Sequence, residues 1–431
     1  MKIGGKRSNS SSRFLDLTTN LSFIDQALVS GGNFLAGILM ARAFGLFEFG
    51  RFTLVWMSVE FLMSLHYALV LQPMLNIGPK QNESERIRYF PAVGGQQVLT
   101  SLVMGSVAWT ALAAAGIVFN DVKLSELAAP VFAAIIMYQS HVFFRRYLFM
   151  RERPVHGLMV DALRFGVQLP ATIALLFLPG SKDASYGLWI IAIACMASTT
   201  LGVCFFGKFV WDAAVFRQVV ARHWDFSKWL LPSAVMHWLT SQAYFLMSGV
   251  VLGAAITGGL RAASGITGVL NIIVMALDSF APARASRAFH EGGRKQLQHF
   301  IVRLAGLMGV LTLGTVVVLN VAPELAIRLL YGEKYEGLGF LVRWLCVPAV
   351  LYSMAAVLAI AAAATERTKL IFQSYVAATV FTLIAAYPLA YYTGLPGIVV
   401  TWIVVECIRV AVLLAGLQRG TSVAVVPTAI K

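Results

Sequence analysis

Residues 185–228 read SYGLWIIAIACMASTTLGVCFFGKFVWDAAVFRQVVARHWDFSK. An apolar stretch runs without a charge and then opens into a gap that carries Lys208, Arg217, Arg222 and Lys228. Outward from this segment the same unit recurs. Apolar stretches follow one another, and the gaps between them are basic, then not basic, then basic again. Crossing the hydrocarbon core of a bilayer as a helix takes about 20 mainly apolar residues. Windows of that size fall at 21–44, 52–74, 92–118, 126–148, 158–178, 185–211, 229–252, 260–282, 299–322, 339–364, 369–391 and 394–416. Within lipid a segment must satisfy its own backbone, and these windows are far too long for barrel strands. The expected fold class is an all-α polytopic membrane protein with about twelve transmembrane helices.

Composition agrees. The 431 residues are 58% hydrophobic and 13% charged, where a soluble chain carries about a quarter charged residues. Mean hydropathy is +0.76. The connections are too short to hold a soluble domain. A net charge of +14 would suggest nucleic acid in a soluble chain. Here the basic residues flank spans, so anionic lipid headgroups are the simpler partner and nucleic acid is not expected. Cys195, Cys204, Cys346 and Cys407 all lie in apolar windows without zinc-site spacing, so neither metal nor disulfide framework is indicated. Phosphate-loop, His-Glu-x-x-His and Ser/His/Asp patterns are missing. The chain is therefore read as a non-enzyme with no cofactor.

The charge pattern also orients the chain. With both termini on one side, that side holds about 23 Lys and Arg and the other about six. Loops rich in Lys and Arg face the cytoplasm, so both termini are expected there. The organisation expected is a cytoplasmic tail over 1–20, a six-helix bundle over 21–211, an amphipathic linker over 212–228, a second bundle over 229–416 and a tail over 417–431. In the linker, Phe216, Val219 and Val220 alternate with Arg217 and Arg222, as in a helix lying in the membrane interface. The segment that follows the N-terminal tail carries Asp25, Gln26 and Asn33, too long and too polar for a signal peptide.

The halves resemble each other. Gln26, Ser30, Asn33 and Gly37 make one helical stripe in the first span, and His237, Ser241, Tyr244 and Ser248 make one in the seventh. Each span then ends in Gly-x4-Gly, Gly45 to Gly50 and Gly253 to Gly258. Two parallel halves of this kind suit a transporter.

Charged groups inside spans are costly and are functional candidates by default. Glu60 lies about 12 Å into its window. Asp161 and Arg164 stand at i, i+3, with Gln168 and Thr172 continuing their stripe, and Glu406 and Arg409 repeat the spacing in the last span. Such neighbours either neutralise one another or leave the arginine available to an anionic substrate. Ser264, Asn271 and Asp278 share a face behind Arg261. Arg42 points away from the first stripe, and His66 is off the face of Glu60 and is read as packing. The candidate substrate-cavity residues are Asn33, Arg42, Arg164, Gln168, His237, Tyr244, Arg261 and Asn271. Glu60, Asp161, Glu406 and Arg409 are the candidates for ion coupling or cavity ion pairs.

Several motifs resemble a known family. They are Asp25-Gln26-Ala27, Ser30-Gly31-Gly32-Asn33-Phe34, Ala41-Arg42-x-x-Gly45-x-x-x-Phe49-Gly50-x-Phe52, Leu71-Gln72-Pro73-Met74, Leu330-Tyr331-Gly332-Glu333-Lys334-Tyr335 and Thr393-Gly394-Leu395-Pro396-Gly397. Together they look like the bacterial polysaccharide flippases of the multidrug/oligosaccharidyl-lipid/polysaccharide exporter superfamily. The resemblance implies two six-helix bundles around a central cavity with alternating access. It implies a polyprenyl-diphosphate-linked oligosaccharide carried from the cytoplasmic to the periplasmic leaflet, with membrane lipids and other polysaccharide assembly proteins as partners. Only Arg42 carries over from a family motif. A cation-coupled multidrug exporter of the same superfamily is the alternative that Glu60 favours. A membrane glycosyltransferase or polymerase would need paired acids or a large outer loop, and a scaffold for glycan assembly would use the basic loops.

Overall fold

The computed structural model describes residues 8–207, 210–271, 274 and 281–419, with side chains from residue 21 onward apart from 22, 23 and 283. The described residues are helical nearly throughout and contain no strand. Ten of the helices are long and apolar enough to cross a membrane. The chain folds as two compact units, Met1–Val235 and Met236–Lys431.

The first unit opens with α1 (Ser8–Phe44), which includes part of the expected tail. Gly45 ends it at φ 78°, a conformation that favours glycine, and α2 (Leu46–His66) follows. A π-turn over Tyr67–Leu71 leads into α3 (Gln72–Ile77). Next come α4 (Glu83–Val118), α5 (Val122–Glu126), α6 (Ala128–Met150), α7 (Pro154–Phe177), α8 (Ala184–Phe206) and α9 (Ala213–Ser227). The helices overrun the apolar windows: residues 46–80 replace 52–74, and 83–118 replace 92–118. An apolar window marks the hydrocarbon crossing, while helical bonding continues into the polar interface. At the start of α4, Asn82 accepts from the Glu85 backbone N–H and Glu85 accepts from that of Asn82, so both orphan donors are satisfied. Glu60 therefore stands about 21 Å along its helix from Leu46.

The linker folds as α9, capped by Asp212. Val219, His223 and Ser227 recur at i, i+4, i+8 and are buried on the first unit. Trp224 and Phe226 are exposed, beside Arg217 and Arg222.

In the second part of the chain, α10 (Leu230–Met247) continues into a five-residue π-turn, Ser248–Leu252. Gly253 at φ 89° ends it, and α11 (Ala254–Thr267) begins. The expected span 260–282 thus starts earlier, and its Asp278 lies outside the described residues, as do most of the C-terminal tail and residues 1–7. Then come α12 (Ala281–Val321), broken at Gly293, α13 (Pro323–Tyr331), α14 (Gly339–Ala364), α15 (Thr368–Thr393) and α16 (Leu395–Arg419). The basic gap Arg284–Lys295 is helical rather than a loop. The two halves repeat a junction. Gly45 and Gly253 share nearly the same backbone angles, and their carbonyls accept from Phe49 and Thr257 four residues on.

Large apolar side chains such as Leu99, Val103 and Val107 on α4 are exposed along the spans, as a lipid-facing surface requires. Contact between helices relies on close approach and internal hydrogen bonds, because lipid leaves little hydrophobic drive. Gly202 lies against the Phe144 side chain, where an added Cβ would sit 2.6 Å from Phe144 Cβ. His66, read from the sequence as packing, is fully buried and hydrogen-bonded to Gln97, which reaches Ser101 and Ser140.

Candidate functional site

Each unit holds a cluster of charged side chains inside its helices. In the first unit the cluster is built from α1, α6, α7 and α8. Arg145 on α6 donates through Nε to Asp161 Oδ2 on α7 and through Nη2 to Asp25 Oδ2 on α1, both at 2.5 Å. Asp161 Oδ1 lies 3.1 Å from His141 Nε2, and His141 Nδ1 lies 2.9 Å from Ser198 Oγ on α8. Ser198 gives its own proton to the Cys195 carbonyl, so His141 Nδ1 is the donor to it. One guanidinium fork thus bridges two buried carboxylates.

Arg164 lies one turn beyond Asp161. It is 4% exposed, and it sits over the rings of Phe165 at 4.7 Å and Tyr138 at 5.3 Å. Its Nη2 donates to Asn33 Oδ1 at 3.3 Å. Its Nε has no hydrogen-bond partner, and among the described residues no ion pair includes it. The spacing left open whether Asp161 and Arg164 pair; in the structure Asp161 bonds instead to Arg145. Arg145, near the end of the window 126–148, lies inside α6 and is 14% exposed. Gln168 and Thr172 continue this face and are buried, so the stripe faces other helices rather than water.

On α2, Trp56 Nε1 donates to Glu60 Oε1 at 3.0 Å, and the Trp56 ring meets Tyr138 edge-on at 5.3 Å. Glu60 thereby joins the neighbourhood of Arg164 through two rings. Asn33 is exposed on its helix, and Gln26 on the same stripe bonds to Ser30.

The second unit's cluster is simpler. Arg409 donates to Glu406 at 2.8 Å within α16, so this i, i+3 pair is closed. Its guanidinium also reaches the Tyr375 hydroxyl at 3.2 Å and lies over the Tyr375 and Tyr352 rings. His237, exposed on α10, meets Tyr375 edge-on at 6.0 Å. Tyr244 is buried and stacked on Trp402 at 4.6 Å. Arg261 lies over Phe245. Asn271 and Arg42 are exposed. Sequence reasoning gave no role to Asp25, His141, Arg145, Trp56 or Tyr138. The signal it had was the spacing of His141 and Arg145, one turn apart on one face. Among the described residues no group of three His, Cys, Asp or Glu side chains is placed to hold a metal ion.

No protein-family model and no curated protein sequence matches the chain. Solved structures do. The fold is similar to lipid II flippase MurJ in an inward closed conformation, with TM-score 0.67 and 12% identity over 93% of this chain and 87% of that one. It is similar to a multidrug resistance MATE family transporter of the MOP superfamily in an inward-facing conformation, with TM-score 0.65 and 14% identity over 92% and 93%. The eukaryotic MATE transporter AtDTX14 gives TM-score 0.61 at 14% identity over 95% and 97%. The fold is similar to that of these solved transporters, and it is all-helical among the described residues. These neighbours are transporters and flippases, not enzymes.

Proposed function

We propose that this protein is a flippase. It carries a polyprenyl-diphosphate-linked oligosaccharide from the cytoplasmic to the periplasmic leaflet of a bacterial inner membrane, by alternating access, for cell-surface polysaccharide synthesis. Residues 21–211 and 229–416 form its two halves, and other polysaccharide assembly proteins receive its product.

The observation that carries this reading is the setting of Arg164. A guanidinium inside a span is costly and is ordinarily cancelled by a carboxylate. This one is held by an amide and two rings, with Nε left unpartnered. Such a group suits an anion delivered from outside the protein, and a diphosphate supplies one. A sugar head loses its water on entering hydrocarbon, and polar side chains along the path replace that water while the lipid tail stays in the bilayer. The likeness to a lipid II flippase supports a lipid-linked substrate.

The test is a deletion strain. Lipid-linked oligosaccharide is expected to accumulate on the inner leaflet, out of reach of an impermeant glycosidase added from the periplasmic side. Normal export in that strain would sink the proposal. Glycosyltransferase genes beside this one would favour the same reading.

A second reading is a cation-coupled multidrug exporter. The likeness to MATE transporters favours it, as do the carboxylates of Asp25 and Asp161 buried within the helices of the first unit. Hypersensitivity of the deletion strain to cationic drugs, with glycan export intact, selects it.

A further inference from the structure

We propose that Trp56 and Tyr138 form a carbohydrate-binding platform in the first unit, on which a neutral sugar ring of the glycan stacks beside Arg164, Asn33 and Glu60. This rests on the flippase reading and specifies how the glycan is recognised.

Four helices bring these side chains into one chain of contacts. Asn33 on α1 accepts from Arg164 on α7, and Arg164 lies over Tyr138 on α6. Tyr138 meets Trp56 on α2 edge-on, and Trp56 donates to Glu60 one turn further along. Phe52 extends the aromatic row, its ring 6.0 Å from that of Trp56 and 14° from parallel. Arg164 alone among the five is buried; Asn33 is exposed, and Trp56, Glu60 and Tyr138 are half-buried.

Their partial exposure is informative because all five lie within membrane-spanning helices. An amide and a carboxylate left open to hydrocarbon would be costly, so the surface they share meets water or a polar ligand.

The chemistry selects the ligand. A pyranose ring has an apolar C–H face, which an aromatic side chain covers well, and a rim of hydroxyls that both donate and accept. Around two rings the platform offers an acceptor-only carboxylate, a donor-only guanidinium and an amide that does both. Glu60 and Arg164 carry opposite charges at different points of this chain of contacts, so the polar rim is mixed rather than purely cationic or purely acidic. A bare diphosphate would want cations alone, and a cationic drug would want uncancelled acids. A neutral sugar ring next to a diphosphate uses both the rings and the mixed polar rim.

The experiment measures leaflet transfer of the lipid-linked oligosaccharide in the deletion strain carrying wild-type or variant protein, normalised to the amount of protein in the membrane. Trp56→Leu and Tyr138→Leu are expected to slow transfer about ten-fold, the loss of one stacked ring, while Trp56→Phe stays near wild type. If Trp56→Leu is lost from the membrane, Trp56→Met, whose flexible unbranched chain adapts to the space without a ring, carries the same test. Transfer by Trp56→Leu or Trp56→Met at the wild-type rate, in a strain whose deletion blocks export, overturns the platform and leaves the flippase standing. Equal loss in Trp56→Phe and Trp56→Leu also overturns it, because packing rather than an aromatic face is then at stake. Export in the deletion strain itself overturns the flippase reading, and the platform falls with it.

Discussion

Arg145 donates to Asp25 and Asp161 at once, so three helices depend on one guanidinium. Removing it leaves two buried carboxylates facing each other. Arg145→Met is expected to destabilise the protein by about 3–5 kcal/mol, read as a fall in the thermal midpoint of the purified protein. Adding Asp25→Asn should recover part of that loss, because one of the stranded charges is then gone. Arg164 belongs to a different class, since it is held without an acid. Arg164→Ala should lower export strongly and stability little, whereas Arg42→Lys, at an exposed position, should leave export near wild type. Equal export by both would remove Arg164 from the transport path. The sequence pointed to Asp161 and Arg164 and left open whether they pair. Spacing along one helix sees only neighbours one turn away, and the true partners of Asp161 come from another helix.

Among the elements, α9 and the glycine junctions make separate predictions. Ser227 at the end of α9 donates to the Ala68 carbonyl in the π-turn of α2 at 2.7 Å, and His223 lies 2.9 Å from the Tyr89 hydroxyl. The π-turn shifts the register of the helix and leaves carbonyls for side chains to satisfy, and Ser227 takes one of them. Burial, with Arg222 nearby, pushes His223 from the usual 6.5 down to about 4. The unfolded segment therefore binds a proton more readily than the docked one. Docking is fully stable above pH 6.5 and weakens as the pH falls from there toward 4. Hydrogen exchange of α9 amides should accelerate over that range, and His223→Phe should flatten the dependence. At the junctions, Gly45→Ala and Gly253→Ala place a Cβ at positive φ and should each cost about 1–2 kcal/mol. Gly37→Ala meets nothing within 4 Å and serves as the control, with an unchanged melting midpoint expected. The glycine repeat was visible in the sequence because glycine is the residue that such a junction selects. The π-turns were not, because no residue type marks them.

For the whole molecule, the expectation to test is orientation. With the four native cysteines replaced by serine, Gln81→Cys should react with an impermeant maleimide only after the inner face is opened. Lys182→Cys should react in intact cells. The reverse pattern would invert the topology read from the basic gaps. At this scale the sequence was informative, since hydrophobic windows and charge bias are summed over many residues and tolerate local error. Its window edges were less so, as shown by the helical gaps at 46–51, 83–91 and 284–295.

By itself, the sequence determined that the chain spans a membrane many times as helices, that its halves share a glycine junction, and which few polar groups lie within the spans. Lipid enforces the first, because each segment must close its own hydrogen bonds, and that requirement is written locally. Tertiary structure alone decided which charges are paired. Arg145 rather than Arg164 holds Asp161, and Trp56 with Tyr138 links Glu60 to Arg164, because those contacts join residues far apart in the chain. Electrostatic partnership depends on distance in space, and periodicity along a single helix does not encode it.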